Sequence, residues 1–223
     1  MTAKGAAFAI GIGASLLPLS LPRSVTAQDA APPGLEMLPD GPGSTMEYKL
    51  ERTFLKVDVL LLTVRVDRAT AGRLATVLDA ESRYSREQEE AVAGIVSDAA
   101  EGVAEIEFLR DVTLEQFLDG AGEDMGHARD AGWIDPDTFQ QVTGSLPEWF
   151  AFLSDRGIKK GDRLTYHVLG ETLRTTYRQT GEAKLSLDQT DVGQQNVMAL
   201  WGGYFAPGSS FREGLTRSLW AND

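Results

Sequence analysis

Residues 163–178, RLTYHVLGETLRTTYR, decide the fold class. Two runs rich in β-branched and aromatic residues, 163–169 and 172–178, flank Gly170-Glu171, which is hairpin turn chemistry. A third run, 183–187, follows Thr180-Gly181, so the reading is three consecutive antiparallel strands. Side chains alternate along a strand, so Tyr166 and His167 face opposite sides of the sheet.

Working upstream, 54–66 reads FLKVDVLLLTVRV. Lys56, Asp58 and Arg65 are too many charges for a lipid-facing segment, and the pattern suggests one or two strands with a bend. Helices are expected over 73–80 and 85–100, the second opened by a Ser85/Gln88 capping box. A strand is expected over 103–112, where Ala104, Ile106 and Phe108 alternate with Glu105 and Glu107. Thr113 then caps a helix, with Gln116 at the box position. Asp135-Pro136 opens another by the rule of a cap followed by proline, and Pro147 restarts it. Downstream, Thr190 or Asp191 opens a helix that Gly202-Gly203 stop, and Ser209 caps a last helix to Leu219. Strands and helices come in blocks without regular βαβ alternation, which indicates α+β with an antiparallel sheet.

The chain of 223 residues has no cysteine and carries 33 acidic against 21 basic residues. A net charge of −12 argues against a protein that tracks nucleic-acid phosphates. The absence of cysteine excludes disulfides, thiolate metal sites and a cysteine nucleophile. Residues 1–27 have the layout of a secretory signal peptide: Lys4, an apolar stretch to Leu21, then Val25-Thr26-Ala27. The stretch is too short and interrupted for a membrane span. Removing it takes away Lys4 and Arg23 and no acid, which moves the net charge from −12 to −14. Residues 28–44 hold four prolines and three glycines and read as an extended leader. The domain is expected over 45–223, exported to the periplasm or beyond after cleavage near Ala27.

Several short motifs fall in one collinear order. They are the strand FLKVDV at 54–59, Ile106-x-Phe108-x-x-Asp111-Val112-Thr113, Lys160-Gly161-Asp162-Arg163-Leu164, and Met198-Ala199-Leu200-Trp201-Gly202 followed by Pro207. Together they resemble the chalcone isomerase-like family over most of residues 48–219. The resemblance implies an open-faced β-sandwich, a curved antiparallel sheet with a layer of helices on one face. It also implies a ligand held between sheet and helices. The family includes plant isomerases that close a flavanone ring, fatty-acid-binding members and exported bacterial members. Laid on this sequence, the isomerase's catalytic Tyr falls on Thr113 and a ligand-contacting Asn on Gly120. Only Arg52 stands near the catalytic Arg, in the context Glu51-Arg52-Thr53.

Candidate ligand-binding residues are therefore Arg52, Thr53, Lys56, Thr113, Tyr166, Asn196 and Trp201. Arg52 and Lys56, four apart on a strand, share a face and suit a carboxylate or oxyanion. Tyr166, like Tyr48 and Tyr177, supplies a hydroxyl from a strand. Asn196, with Gln194 and Gln195, opens the penultimate helix near where the family places an amide or hydroxyl. Trp201 belongs to a C-terminal aromatic group, with Trp149, Phe150, Tyr204 and Phe211, that reads as core or as cavity wall. His167 reads as a half-buried strand residue. Glu123 and His127 share a helical spacing but read as solvated surface, so no metal is expected. No cofactor motif occurs: GxGxxG, Walker A, GxSxG and HExxH are all absent.

The leading expectation is an exported, non-catalytic protein binding a fatty-acid-like or other amphipathic small molecule. The alternatives are an isomerase or intramolecular lyase using Arg52 and a strand Tyr, and an envelope protein-interaction module with no pocket. Nucleic acid is excluded as a partner, and so is a membrane span.

Overall fold

The computed structural model describes residues 44–52, 57–80 and 84–220. Their frame is a six-stranded antiparallel sheet in the plain order β1 to β6. Strand β2 (Val57–Val66) comes from the apolar run at 54–66, β1 (Thr45–Arg52) from the stretch before it, and β3 (Glu101–Phe108) from the alternating one. Strands β4 (Arg163–Leu169), β5 (Thr172–Arg178) and β6 (Leu187–Val192) form the meander. The expected α+β class with one antiparallel sheet is what the chain adopts.

Register explains which side chains meet. One rung runs Tyr48, Leu62, Ile106, Leu164, Tyr177, Leu187 across all six strands. The neighbouring rung, Glu47, Thr63, Glu105, Thr165, Thr176, Asp188, lies on the other face. One face is thus apolar and the other polar, as period-2 alternation requires. Tyr166 and His167 do take opposite faces; His167 Nε2 sits 2.9 Å from Glu101 Oε1 on the polar side.

The apolar face is roofed by helices α1 (Arg68–Ala80), α2 (Arg86–Ser97), α3 (Leu114–Asp130), α4 (Pro136–Trp149), α5 (Gln194–Phe205) and α6 (Arg212–Ser218). Thr113 and Gln116 form the complete capping box of α3. Ser85 accepts from Gln88 N–H at α2, but the Gln88 amide has no hydrogen-bond partner, so only half of that box is made. Asp135 accepts from Thr138 N–H at 2.7 Å, with Pro136 at N1 of α4.

Several boundaries differ from the sequence reading. Pro147 lies inside α4 and does not restart it. Gly120, Gly122 and Gly126 sit within α3, where their poor helix propensity is outweighed by the cap and the packed face. The third meander strand is at 187–192, not 183–187. Residues between are drawn into a loop, where Arg178 donates to the Ala183 carbonyl and Thr180 N–H to Asp162. Thr190 and Asp191 consequently end β6, and α5 starts only at Gln194 after Gly193 (φ 132°). Gly202 and Gly203 do not stop α5. A Cβ on Gly202 would stand 2.6 Å from Ala128 Cβ, so glycine there is what lets α5 approach α3 closely. Ser209 does not cap α6, whose N-cap position is Phe211; its Oγ donates to the Gly203 carbonyl instead.

Helix α5 is buried from Val197 to Phe205 except at Met198, which is how a helix apolar nearly all round must sit. Trp201 lies over the sheet where Gly102 leaves room: a Cβ there would be 2.9 Å from the indole. No described helix is long and apolar enough to cross a membrane. The signal peptide and leader expected over 1–43 lie outside the described residues.

Candidate functional site

A cavity of about 420 Å³ lies between the inner sheet face and helices α3, α4 and α5. Its volume is that of a small-molecule site. The walls are mainly apolar. Leu60, Ile106 and Phe108 floor it, and Phe117, Leu146 and Phe150 close it from the helices.

Polar groups enter at two places. At the end of β3, the alternation Ala104, Ile106, Phe108 carries on to Arg110, so this cation falls on the apolar side of the chain. Its Nε is sealed from solvent without a hydrogen-bond partner. Among the described residues Arg110 makes no ion pair, although Asp119 lines the same cavity. Gln116, whose Oε1 accepts from Thr113 N–H at 3.1 Å, lines it too.

The second polar group comes from β4, β5 and α5. Tyr166 and Thr175 are register partners on the inner face, and Tyr204 reaches the same cavity from α5. None of their three hydroxyls has a hydrogen-bond partner among the described residues. Burial raises the Tyr166 phenol well above its ordinary value. It does the same to Tyr204, where the charges of Tyr166 and Asp124 add to the effect. Both phenols are therefore proton donors at any working pH. Asp124, Asp191 and Asn196 line the cavity as well. Asp191 accepts from the Gln189 amide at 3.1 Å, and Asp124 from Ser210 Oγ at 3.3 Å.

The sequence candidates divide accordingly. Tyr166 and Asn196 are on the cavity wall. Thr113 is not; its hydroxyl accepts from Gln116 N–H as the α3 cap. Trp201 is a core residue over Gly102 and not part of the wall. Tyr48 packs against Gly214 and edge-on to Phe211, and the Tyr177 hydroxyl donates to Asp162. Arg52 ends β1 opposite Val57, while Thr53 and Lys56 lie outside the described residues. Among the described residues no cluster of three or more His, Asp or Glu could hold a metal.

Sequence reasoning missed Arg110 and Thr175 as cavity residues, and offered Tyr204 only within the aromatic group that reads as core or cavity wall. For Arg110 the signal was present: it keeps the parity of Ile106 and Phe108. A lone arginine next to Asp111 at a strand end simply reads as solvated turn.

No family model matches the chain, and no curated protein matches it. Among solved structures, it is similar to the crystal structure of an Arabidopsis thaliana fatty-acid binding protein, at 13% identity and a TM-score of 0.49. That alignment covers 80% of this chain and 87% of the plant protein.

Proposed function

We propose that this chain binds, without transforming, an amphipathic small molecule with an acidic head group, fatty-acid-like in kind, between its sheet and its helices. The observation that carries the reading is Arg110, whose Nε is sealed on the wall of an apolar cavity without a partner. Arg110 is half-buried, and a sealed guanidinium N–H without a partner costs free energy that a ligand carboxylate offsets through a charge-assisted hydrogen bond. The apolar walls then take the tail. Export, with cleavage near Ala27 and residence in the periplasm, belongs to the same proposal and rests on residues 1–27 alone.

The test is titration of the delipidated protein with hexadecanoic acid, beside Arg110→Met. Saturable binding that weakens at least about tenfold in the variant is expected, since a hydrogen bond to a charged group contributes roughly 1.5–3 kcal/mol. Hexadecanoic acid that neither binds nor raises the unfolding temperature overturns the reading.

A second reading has one observation in its favour. The protonated phenol of Tyr166 inside the cavity suits stabilisation of an oxyanion, as an isomerase or intramolecular lyase requires. Turnover of a hydroxychalcone that Tyr166→Phe abolishes would select it over simple binding.

A further inference from the structure

We infer that the ligand of this cavity is polar at both ends: an acid held at Arg110, and a neutral hydroxyl held by Tyr166, Thr175 and Tyr204. The inference rests on the reading of the cavity as an amphiphile site and narrows the class of amphiphile.

The two polar groups stand apart. Tyr166 and Thr175 lie on the rung that crosses β3 at Ala104. Phe108, where β3 ends, is four residues further along, roughly 13 Å at about 3.3 Å per residue of extended strand, and Arg110 lies beyond that end. Between those points the floor is Ile106 and Phe108, both apolar and both on the wall. Helix α3, which begins just beyond Arg110, brings Gln116 and Asp119 from its first turns and Asp124 and Met125 from its later ones. The cavity is thus an apolar trough with a different polar chemistry at each end.

At the far end, three hydroxyls face the cavity. Thr175 is 4% exposed and Tyr204 7%, and neither hydroxyl has a partner among the described residues, nor has that of Tyr166. An apolar tail that covered them would strip each of water without replacing the bond, at about 1–3 kcal/mol apiece. The neighbouring charges fix the sign of what fits. Asp124 and Asp191 line the cavity here, and they repel a second carboxylate. Burial keeps the phenols protonated, so they donate. A ligand hydroxyl accepts from a phenol or from Thr175 and keeps its own proton for a carboxylate oxygen of Asp124. A methyl group can do neither.

The experiment compares hexadecanoic acid, ω-hydroxyhexadecanoic acid and hexadecanol on the delipidated full chain, on Arg110→Met, and on the double variant Tyr166→Phe, Thr175→Val. Each substitution in the double variant removes a hydroxyl with little change of shape. The ω-hydroxy acid is expected to bind about fivefold to tenfold more tightly than the plain acid, the worth of roughly one net hydrogen bond. The double variant should abolish that preference, bringing the two acids to equal affinity. Arg110→Met should weaken both acids equally, keep their ratio, and leave hexadecanol unaffected. Equal binding of the two acids, or a preference that survives the double variant, overturns the inference while the acid-binding reading stands. Failure of every probe to bind overturns both.

Discussion

Asp162 and Arg110 are both ionised side chains set against the same sheet, and the fold treats them in opposite ways. Asp162 is fully buried and accepts five hydrogen bonds: two from Arg156, one each from the Lys159 and Thr180 backbones, and one from the Tyr177 hydroxyl. Burial pushes its carboxyl up, but Arg156, the two backbone N–H groups and Tyr177 outweigh it and hold the group well below the usual carboxylate range. Arg110 has no such company. The Asp162 network ties the segment after α4, the start of β4 and the β5–β6 loop into one joint. Gly161, at φ 84°, makes that turn feasible. A buried charge with every partner supplied marks a structural joint, and a half-buried cation with its Nε sealed and unpartnered marks a place where something else can supply the bond. The hydroxyls of Tyr177 and Tyr166 repeat the contrast: same residue type, neighbouring strands, one satisfied and one not.

The largest expected effect breaks the joint. Asp162→Asn keeps the shape but removes the charge and one acceptor, stranding the Arg156 guanidinium. Unfolding in urea should show a loss of about 3–5 kcal/mol, as for removal of one partner of a buried pair. The pH dependence has a definite sign. The folded carboxyl titrates below the unfolded one, so its contribution is complete above roughly pH 5 and is lost as the pH falls through the folded value. The gap between wild type and variant should therefore narrow below about pH 4. A gap that is under about 1 kcal/mol at neutral pH, or that does not change with pH, would remove Asp162 from its structural role.

Next in size is the helix crossing that roofs the cavity. Gly202→Ala places a methyl group 2.6 Å from Ala128 Cβ, so α3 and α5 must separate. Overpacking of this kind costs about 1–3 kcal/mol. Because Asp124 and Met125 on α3 and Ala199 and Gly203 on α5 line the cavity, the same change should also weaken hexadecanoic acid binding. Unchanged stability would mean that the helices slide without cost.

Arg110→Met then tests the other side of the contrast. Removing a half-buried cation whose sealed Nε has no partner among the described residues should leave the ligand-free stability unchanged or raise it by up to about 1 kcal/mol, while a loss of more than about 2 kcal/mol would make Arg110 structural like Asp162.

Much of this was legible in the sequence, and the rest was hidden for physical reasons. The β4–β5 hairpin, the α3 capping box and the Asp135-Pro136 start depend on residues within a few positions of one another, and they form where the local pattern puts them. The shift of β6 from 183–187 to 187–192 follows from Asp162, which captures Thr180 N–H from 18 residues away. Gly202-Gly203 read as a helix stop because the partner that needs their small size, Ala128, is remote in the chain. The site shows the same division. Tyr166 and Asn196, picked from strand parity and position in the chain, lie on the cavity wall. Thr113 and Trp201 lie off that wall, because a cap and a glycine-bared sheet claim their side chains. Arg110 was overlooked although its parity gave it away, since a cation on an apolar face is usually the end of that face.

The smallest expected effect discriminates most finely between the two tyrosines. Tyr166→Phe deletes an oxygen that has no hydrogen-bond partner among the described residues, so the ligand-free protein should be as stable as wild type or up to about 0.5 kcal/mol more stable. Tyr177→Phe deletes an oxygen that donates to Asp162 at 2.7 Å, and it should cost about 1.5–3 kcal/mol, the range for a hydrogen bond to a charged acceptor. The substitution and the sheet face are the same in the two variants, so differences in unfolded-state behaviour largely cancel between them. Equal losses would mean that the Tyr166 hydroxyl has a partner of its own within the folded chain, and the far pole of the cavity would then be closed to a ligand. Opposite signs would leave satisfied and unsatisfied phenols separated by one strand, which is the arrangement a fold adopts when one rung holds it together and the next is kept for a guest.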